Sequence, residues 1–170
     1  MMYNVRLADD DVHCTSFLTK PSDFSVVIVL GIDPGSTGAI AVLEHRTPAR
    51  VFDMPETIAD LAMVIRSSEP DHVFVEYQQA FPGQGIASTG KLLQHYGSIL
   101  GILAMTDANV VVLRPAAWKK SFGLSSDKNA SRLLAQDLFS HISSQLSRKK
   151  DHGRAEALLI GLAGTRMLNL

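Results

Sequence analysis

The chain has 170 residues, with 16 Lys and Arg against 17 Asp and Glu, and a single cysteine. That is one ordinary domain, able to bury roughly 70 % of its unfolded surface without a staple, and lone Cys14 excludes an internal disulfide framework or a cysteine zinc ribbon. A net charge of −1 excludes a globally basic histone-like protein, 46 % hydrophobic content is globular rather than disordered, and no apolar run approaches the ~18 residues of a membrane span.

Residues 1–25 show no clean period and carry the acidic triplet Asp9-Asp10-Asp11, without the features of a transit or signal peptide. They read as a flexible N-terminal extension, with the folded domain at 26–170. Val26 to Ile32 is a continuous apolar, β-branched run that suits a strand buried on both faces. Asp33-Pro34-Gly35-Ser36 makes a turn. Ala39 to Leu43 is a second strand and Arg50–Asp53 a short third, an antiparallel meander. A helix follows over Ile58–Ser67, with Leu61, Val64 and Ile65 on one face.

His72 to Glu76 is a strand, and Tyr77 to Gly90, rich in Gly with Pro82, is a loop. Lys91 to Thr106 is an apolar helix with Leu92, Tyr96, Ile99 and Leu103 at helical spacing; its Gly97 and Gly101 permit close packing. Asn109–Leu113 is a strand stopped by Pro115. Ser126-Asp127-Lys128 opens a helix to about Phe139 with Leu133, Leu134 and Leu138 inward, and the last helix spans Arg154 to Leu168. The order predicts an α/β fold, a mixed sheet with an antiparallel three-strand start and a parallel continuation, flanked by helices.

Charge is unevenly spread. Residues 1–113 carry a balance of −7 and residues 114–154 a balance of +6. An acidic part beside a basic part suits a carboxylate-lined metal site facing a polyanion, although an ordinary solvated surface explains it equally. Three carboxylates sit where burial is costly unless they are paired or bind metal. Asp33 follows the first strand, Glu76 ends His72-Val73-Phe74-Val75, and Glu156 lies inside Ala155-Glu156-Ala157-Leu158-Leu159-Ile160. Each alone is explained by a turn, a strand end or an exposed helix position; the three together point to hard-metal chemistry. Mg²⁺ takes oxygen ligands, and two ions ~3.5–4 Å apart activate water and stabilise the leaving oxygen of a phosphodiester. Asp151, at the entrance of the last helix, is a fourth candidate if the loop bends it inward.

The series Gly31-Ile32-Asp33-Pro34-Gly35-Ser36-Thr37-Gly38, Val75-Glu76, Lys128 at a helix start and Glu156-Ala157-Leu158 resembles the RuvC group of Holliday junction resolvases. The segments Trp118-Lys119-Lys120, Leu124-Ser125 and 148–160 are similar to its plant chloroplast branch. The resemblance covers about residues 26–165. It implies a ribonuclease H-like fold and the metal ligands Asp33, Glu76, Asp151 and Glu156, with Mg²⁺, two ions per site, and Mn²⁺ as substitute. The bacterial pattern has an acid or His three residues before the last carboxylate, where this chain has Gly153; Asp151, or else His152, takes that role. Lys128 matches a lysine near the scissile phosphate, and Lys119 and Lys120 are expected on backbone phosphates, with Arg148, Lys149 and Lys150 usable likewise. Phe81, with Tyr77 as competitor, is the aromatic for the junction centre. Gln78, Gln79 and Gln84 are candidates for base edges.

The expected activity is Mg²⁺-dependent, symmetric cleavage of four-way DNA junctions by in-line hydrolysis, in recombination and repair. The two cuts ask for a homodimer, with the helix over Lys91–Thr106 as its interface. No membrane contact and no small-molecule cofactor are implied. The expected setting is soluble, with DNA, in a bacterial or phage cytoplasm or an organelle such as the chloroplast. The rival readings are a nuclease of the same fold acting on RNA–DNA hybrids or flaps, an actin-like nucleotide-binding protein, for which the chain has room for one lobe only, and a junction-binding module without cleavage.

Overall fold

The computed structural model describes residues 5–8, 26–45 and 47–170. Its strands are β1 (Val5–Ala8), β2 (Ile28–Asp33), β3 (Ala39–Glu44), β4 (Thr47–Asp53), β5 (His72–Glu76) and β6 (Asn109–Leu113). They form one six-stranded sheet in the order β1-β6-β5-β2-β3-β4. β2, β3 and β4 pair antiparallel, while β2–β5, β5–β6 and β1–β6 pair parallel. The expected antiparallel start and parallel continuation are thus observed.

Alternation along β2 divides the core. Leu30 and Ile32 face α1 (Ile58–Ser67) and α2 (Ile86–Leu103), in a cluster with Ile40, Val73, Val75, Leu61, Ile65 and Ile99. Val29 faces the other side with Phe74, Leu158 and Leu159 of the last helix, α5 (His152–Met167). Close approach of α5 to the sheet depends on Gly31, where a Cβ would stand 2.1 Å from the carbonyl oxygen of Ala157. Ten residues of α5 are buried, Glu156 among them, which is why its sequence reads apolar nearly all round. No helix among the described residues is long and apolar enough to cross a membrane.

Several boundaries and faces differ from expectation. Val5–Ala8, expected within the extension, pairs parallel with β6 as an edge strand, Val5 opposite Val110; four residues are too few for a pattern to show. Residues 9–25, with Cys14, lie outside the described residues. Helix α2 starts at Ile86, inside the expected loop, because Gly90 is tolerated within it. Pro115 does not only stop β6: it begins a short helix, α3 (Pro115–Ser121), with proline in its first turn. In α4 (Lys128–Leu138), Leu134 packs against the core as expected, but Leu133 and Leu138 are exposed, and Ser131 and Ala135 are the fully buried residues of that face. Gly97 and Gly101 face open space among the described residues, since a Cβ at either would meet no atom within 4 Å.

Candidate active site

Asp33 and Glu76 close two neighbouring parallel strands. Ile32 is in register with Val75, so the two carboxylates follow side by side at the carboxyl edge of the sheet, where open α/β folds take their ligands. Glu156 reaches the same place from the second turn of α5. The three line one cleft of about 320 Å³ with Thr37, Gln78, Phe81, Lys119 and His152. Each is at most 8 % exposed, so each carboxylate carries a real desolvation cost.

Glu76 accepts the indole N–H of Trp118 on Oε1 at 2.9 Å and the side-chain amide of Gln78 on Oε2 at 3.0 Å. Burial pushes its pKa up; the Trp118 hydrogen bond works against this, and the nearby Glu156 charge adds to it. Glu156 Oε1 lies 2.9 Å from the Lys119 ammonium. That contact is an ion pair without hydrogen-bond alignment, and Oε1 has no hydrogen-bond donor. Lys119 also sits 5.0 Å over the Trp118 ring. Helix α3 therefore sends two consecutive side chains to two carboxylates on different elements.

Asp151 is buried but does not line the cleft. It closes a 3₁₀ turn, Lys149–Asp151, accepting from the backbone N–H of Arg148 at 2.8 Å and from its guanidinium at 2.9 Å. Burial pushes the Asp151 carboxyl up, but these Arg148 hydrogen bonds outweigh it and hold the pKa below the usual value. His152, the alternative, does line the cleft, with Nδ1 3.2 Å from the Lys149 carbonyl oxygen.

The donor set suits a hard divalent cation in its chemistry: oxygens only, from two strand-end carboxylates and the buried Glu156, whose Oε1 is held by the charge of Lys119 without an aligned hydrogen bond. As the side chains stand, no three His, Cys, Asp or Glu among the described residues are gathered closely enough to hold one ion. Glu76, Glu156 and Asp151 are each engaged by their own partners.

The remaining candidates separate clearly. Lys120, Lys149 and Lys150 are exposed, whereas the side chain of Lys119 is only 15 % exposed and turned inward. Arg148 is committed to Asp151. Lys128 opens α4 behind the N-cap Asp127; its side chain lies outside what the structure describes. Tyr77 packs edge-on against Tyr96, ring centres 6.4 Å apart, under the Arg114 guanidinium, while Phe81 stands 56 % exposed at the cleft. Gln78 is spent on Glu76, and the Gln84 side-chain oxygen accepts from the Phe81 N–H at 3.2 Å. The role of Trp118 as the partner of Glu76 is not among the expectations from sequence; the signal for it is a lone tryptophan just after a strand end, whose N–H needs a partner once buried.

The mixed sheet with this carboxylate cleft at its carboxyl edge is the fold of solved RuvC structures. The chain superimposes on Thermus thermophilus RuvC in complex with Holliday junction substrate with a TM-score of 0.59 at 18 % identity, over 84 % of this chain and 96 % of that one. A second Thermus thermophilus RuvC structure gives 0.53 at 20 % identity with the same coverage. In sequence, the chain is 38 % identical over 89 residues to the chloroplastic Holliday junction resolvase MOC1 of Chlamydomonas reinhardtii. The match takes in 51 % of this chain and 10 % of that protein's length. No protein-family profile matches the chain. The resemblance read from the motifs is borne out in the fold and in the chloroplast-type sequence match.

Proposed function

We propose that this chain is a divalent-metal-dependent endonuclease that resolves four-way DNA junctions by phosphodiester hydrolysis, acting as a homodimer. The observation that carries the reading is the meeting of Asp33, Glu76 and Glu156 in one cleft on the fold of RuvC. The match to a chloroplast junction resolvase supports the substrate.

In this reading Asp33, Glu76 and Glu156 hold the metal, with Asp151 as the fourth ligand once its carboxylate leaves Arg148. Bound Mg²⁺ or Mn²⁺ supplies an activated water and stabilisation of the leaving oxygen. The protein holds the carboxylates in a buried edge where charge is weakly screened. Lys120, Lys149 and Lys150 bind backbone phosphates, sequence-independently. Arg148 and Lys119 join them when their carboxylate partners are taken. Lys128, at the start of α4, is the lysine expected beside the scissile phosphate. Phe81, rather than the packed Tyr77, is the aromatic free to enter the junction centre and unstack bases.

Support for the homodimer comes from α2. Its Gly97 and Gly101 are four residues apart and open to solvent, with Leu93 37 % exposed on the same helix. Such spacing lets a second helix approach closely, and a two-fold pair of sites matches two symmetric cuts.

The test compares wild type with Asp33→Asn on a labelled four-way junction, a linear duplex and an RNA–DNA hybrid, with and without Mg²⁺. Paired symmetric nicks on the junction alone, lost in Asp33→Asn while binding persists, are expected. Cleavage of the hybrid instead moves the substrate to another nuclease class, and absence of metal-dependent cleavage on all three overturns the enzyme reading.

A further inference from the structure

Trp118 is buried to 1 % exposure on α3, and its indole N–H is donated across 42 residues of sequence to Glu76 at 2.9 Å. Packing alone asks only for an apolar ring. The indole carries a single polar atom, a donor with no acceptor capacity, and that atom meets one oxygen of a strand-end carboxylate. Gln78 donates to the other oxygen. Both donors are neutral, so they fix the rotation of the carboxylate about its Cγ–Cδ bond without cancelling its charge. An ionised carboxylate offers about four lone-pair sites; two taken from within the protein leave the others directed outward.

The helix that carries Trp118 is placed for this work. Pro115 starts it directly after β6, which is hydrogen-bonded to β5 in register up to Glu76 opposite Leu113. The Trp118 carbonyl oxygen accepts the Ser121 hydroxyl at 2.7 Å, tying down the far end of the helix. Partners behind metal-binding side chains orient them, and their loss commonly lowers metal affinity about 10–100-fold.

We propose that Trp118 is a positioning residue for the metal site, aiming Glu76 through its indole N–H. The inference rests on the reading of Glu76 as a metal ligand. It is tested on the full chain without DNA, so cleavage is not the readout. Trp118 is the sole tryptophan, so the protein has one indole N–H resonance. Glu76→Gln is expected to shift that resonance, and Mn²⁺ to broaden it. By calorimetry, Trp118→Phe is expected to bind Mn²⁺ about 10–100-fold more weakly than wild type with its circular dichroism kept. An indole resonance indifferent to Glu76→Gln, or wild-type Mn²⁺ affinity in Trp118→Phe, overturns the positioning role alone. Because the resonance is read in wild type and in Glu76→Gln, poor folding of Trp118→Phe does not shelter the proposal. Wild-type protein that binds no Mn²⁺ overturns the metal-site reading beneath it, whatever the indole shows.

Discussion

A Cβ at Gly153 would stand 2.2 Å from the carbonyl oxygen of Thr37 and 3.0 Å from Cα of Gly38. The first turn of α5 therefore lies directly on the turn that follows Asp33, backbone against backbone. This contact sets the distance between the element carrying Asp33 and the one carrying Glu156. It also explains why the acid or His of the bacterial pattern is missing three residues before Glu156: a side chain there has no room. Gly153→Asp should accordingly not add a ligand. It is expected to destabilise the fold by about 1–3 kcal/mol, as overpacking does, and to weaken Mn²⁺ binding; denaturant unfolding and calorimetry check both. A gain in metal affinity would show that α5 yields at this point.

The proposed fourth metal ligand is tested by comparing Asp151→Asn with His152→Ala. A hard cation prefers a carboxylate oxygen to an imidazole, and Asp151 is buried with its pKa held low, its partner Arg148 being 58 % exposed and free to swing outward. Asp151→Asn is expected to weaken Mn²⁺ binding and, by loosening the turn that it closes, to cost roughly 0.5–2 kcal/mol of stability. His152→Ala should leave stability within about 0.5 kcal/mol and keep metal binding. The reverse pattern would assign the role to His152, which already faces the cleft.

The sheet was legible because its central strands are built on apolar, β-branched runs, 26–32, 73–75 and 110–113, a pattern that burial on both faces produces. Asp33, Glu76 and Glu156 were legible for a related reason: an acid inside or at the end of such a run carries a desolvation cost that asks for a partner. The partners themselves were not legible. Trp118 to Glu76 and Lys119 to Glu156 depend on α3, a seven-residue helix too short for a period, behind a proline that reads as a terminator. Asp151 has the right residue type and spacing, yet its side chain turns to Arg148, a choice made by three residues of local 3₁₀ geometry. In α4 the leucine pattern holds for Leu134 but not for Leu133 and Leu138, which are exposed while Ser131 and Ala135 are buried.

The open face of α2 gives a prediction about assembly. A Cβ at Gly97 or Gly101 would meet no atom of the described residues within 4 Å, so replacing them should not harm the folded protomer. Glycine inside a helix costs about 0.5–1 kcal/mol relative to alanine, so Gly97→Ala should slightly stabilise it. Gly97→Leu with Gly101→Leu is expected to hold two helices apart and give a monomer in analytical ultracentrifugation. Junctions should then be nicked on one strand rather than cut in pairs. A dimer that survives the double substitution would place the interface elsewhere.

Arg154 and Asp53 join the start of α5 to the end of β4, Arg154 Nε donating at 2.6 Å and Nη2 at 2.5 Å. The Arg154 hydrogen bond holds the Asp53 carboxyl below its ordinary value of 3.8, against a smaller upward push from burial. A carboxylate with a lowered folded pKa stabilises the fold above its unfolded value, and that contribution disappears as pH falls through the folded one. Asp53 is 71 % exposed in its side chain, so solvent and salt screen the pair and its worth is about 0–1 kcal/mol. Asp53→Asn should therefore be less stable than wild type by that amount at pH 7 and low salt. The gap should narrow in 1 M salt and close at acid pH, below the folded pKa of Asp53. Denaturant midpoints of the two proteins across pH and salt measure it. A gap that stays constant down to acid pH would mean that the asparagine disturbs packing at the β4 edge, and that the ion pair is not what holds α5 there.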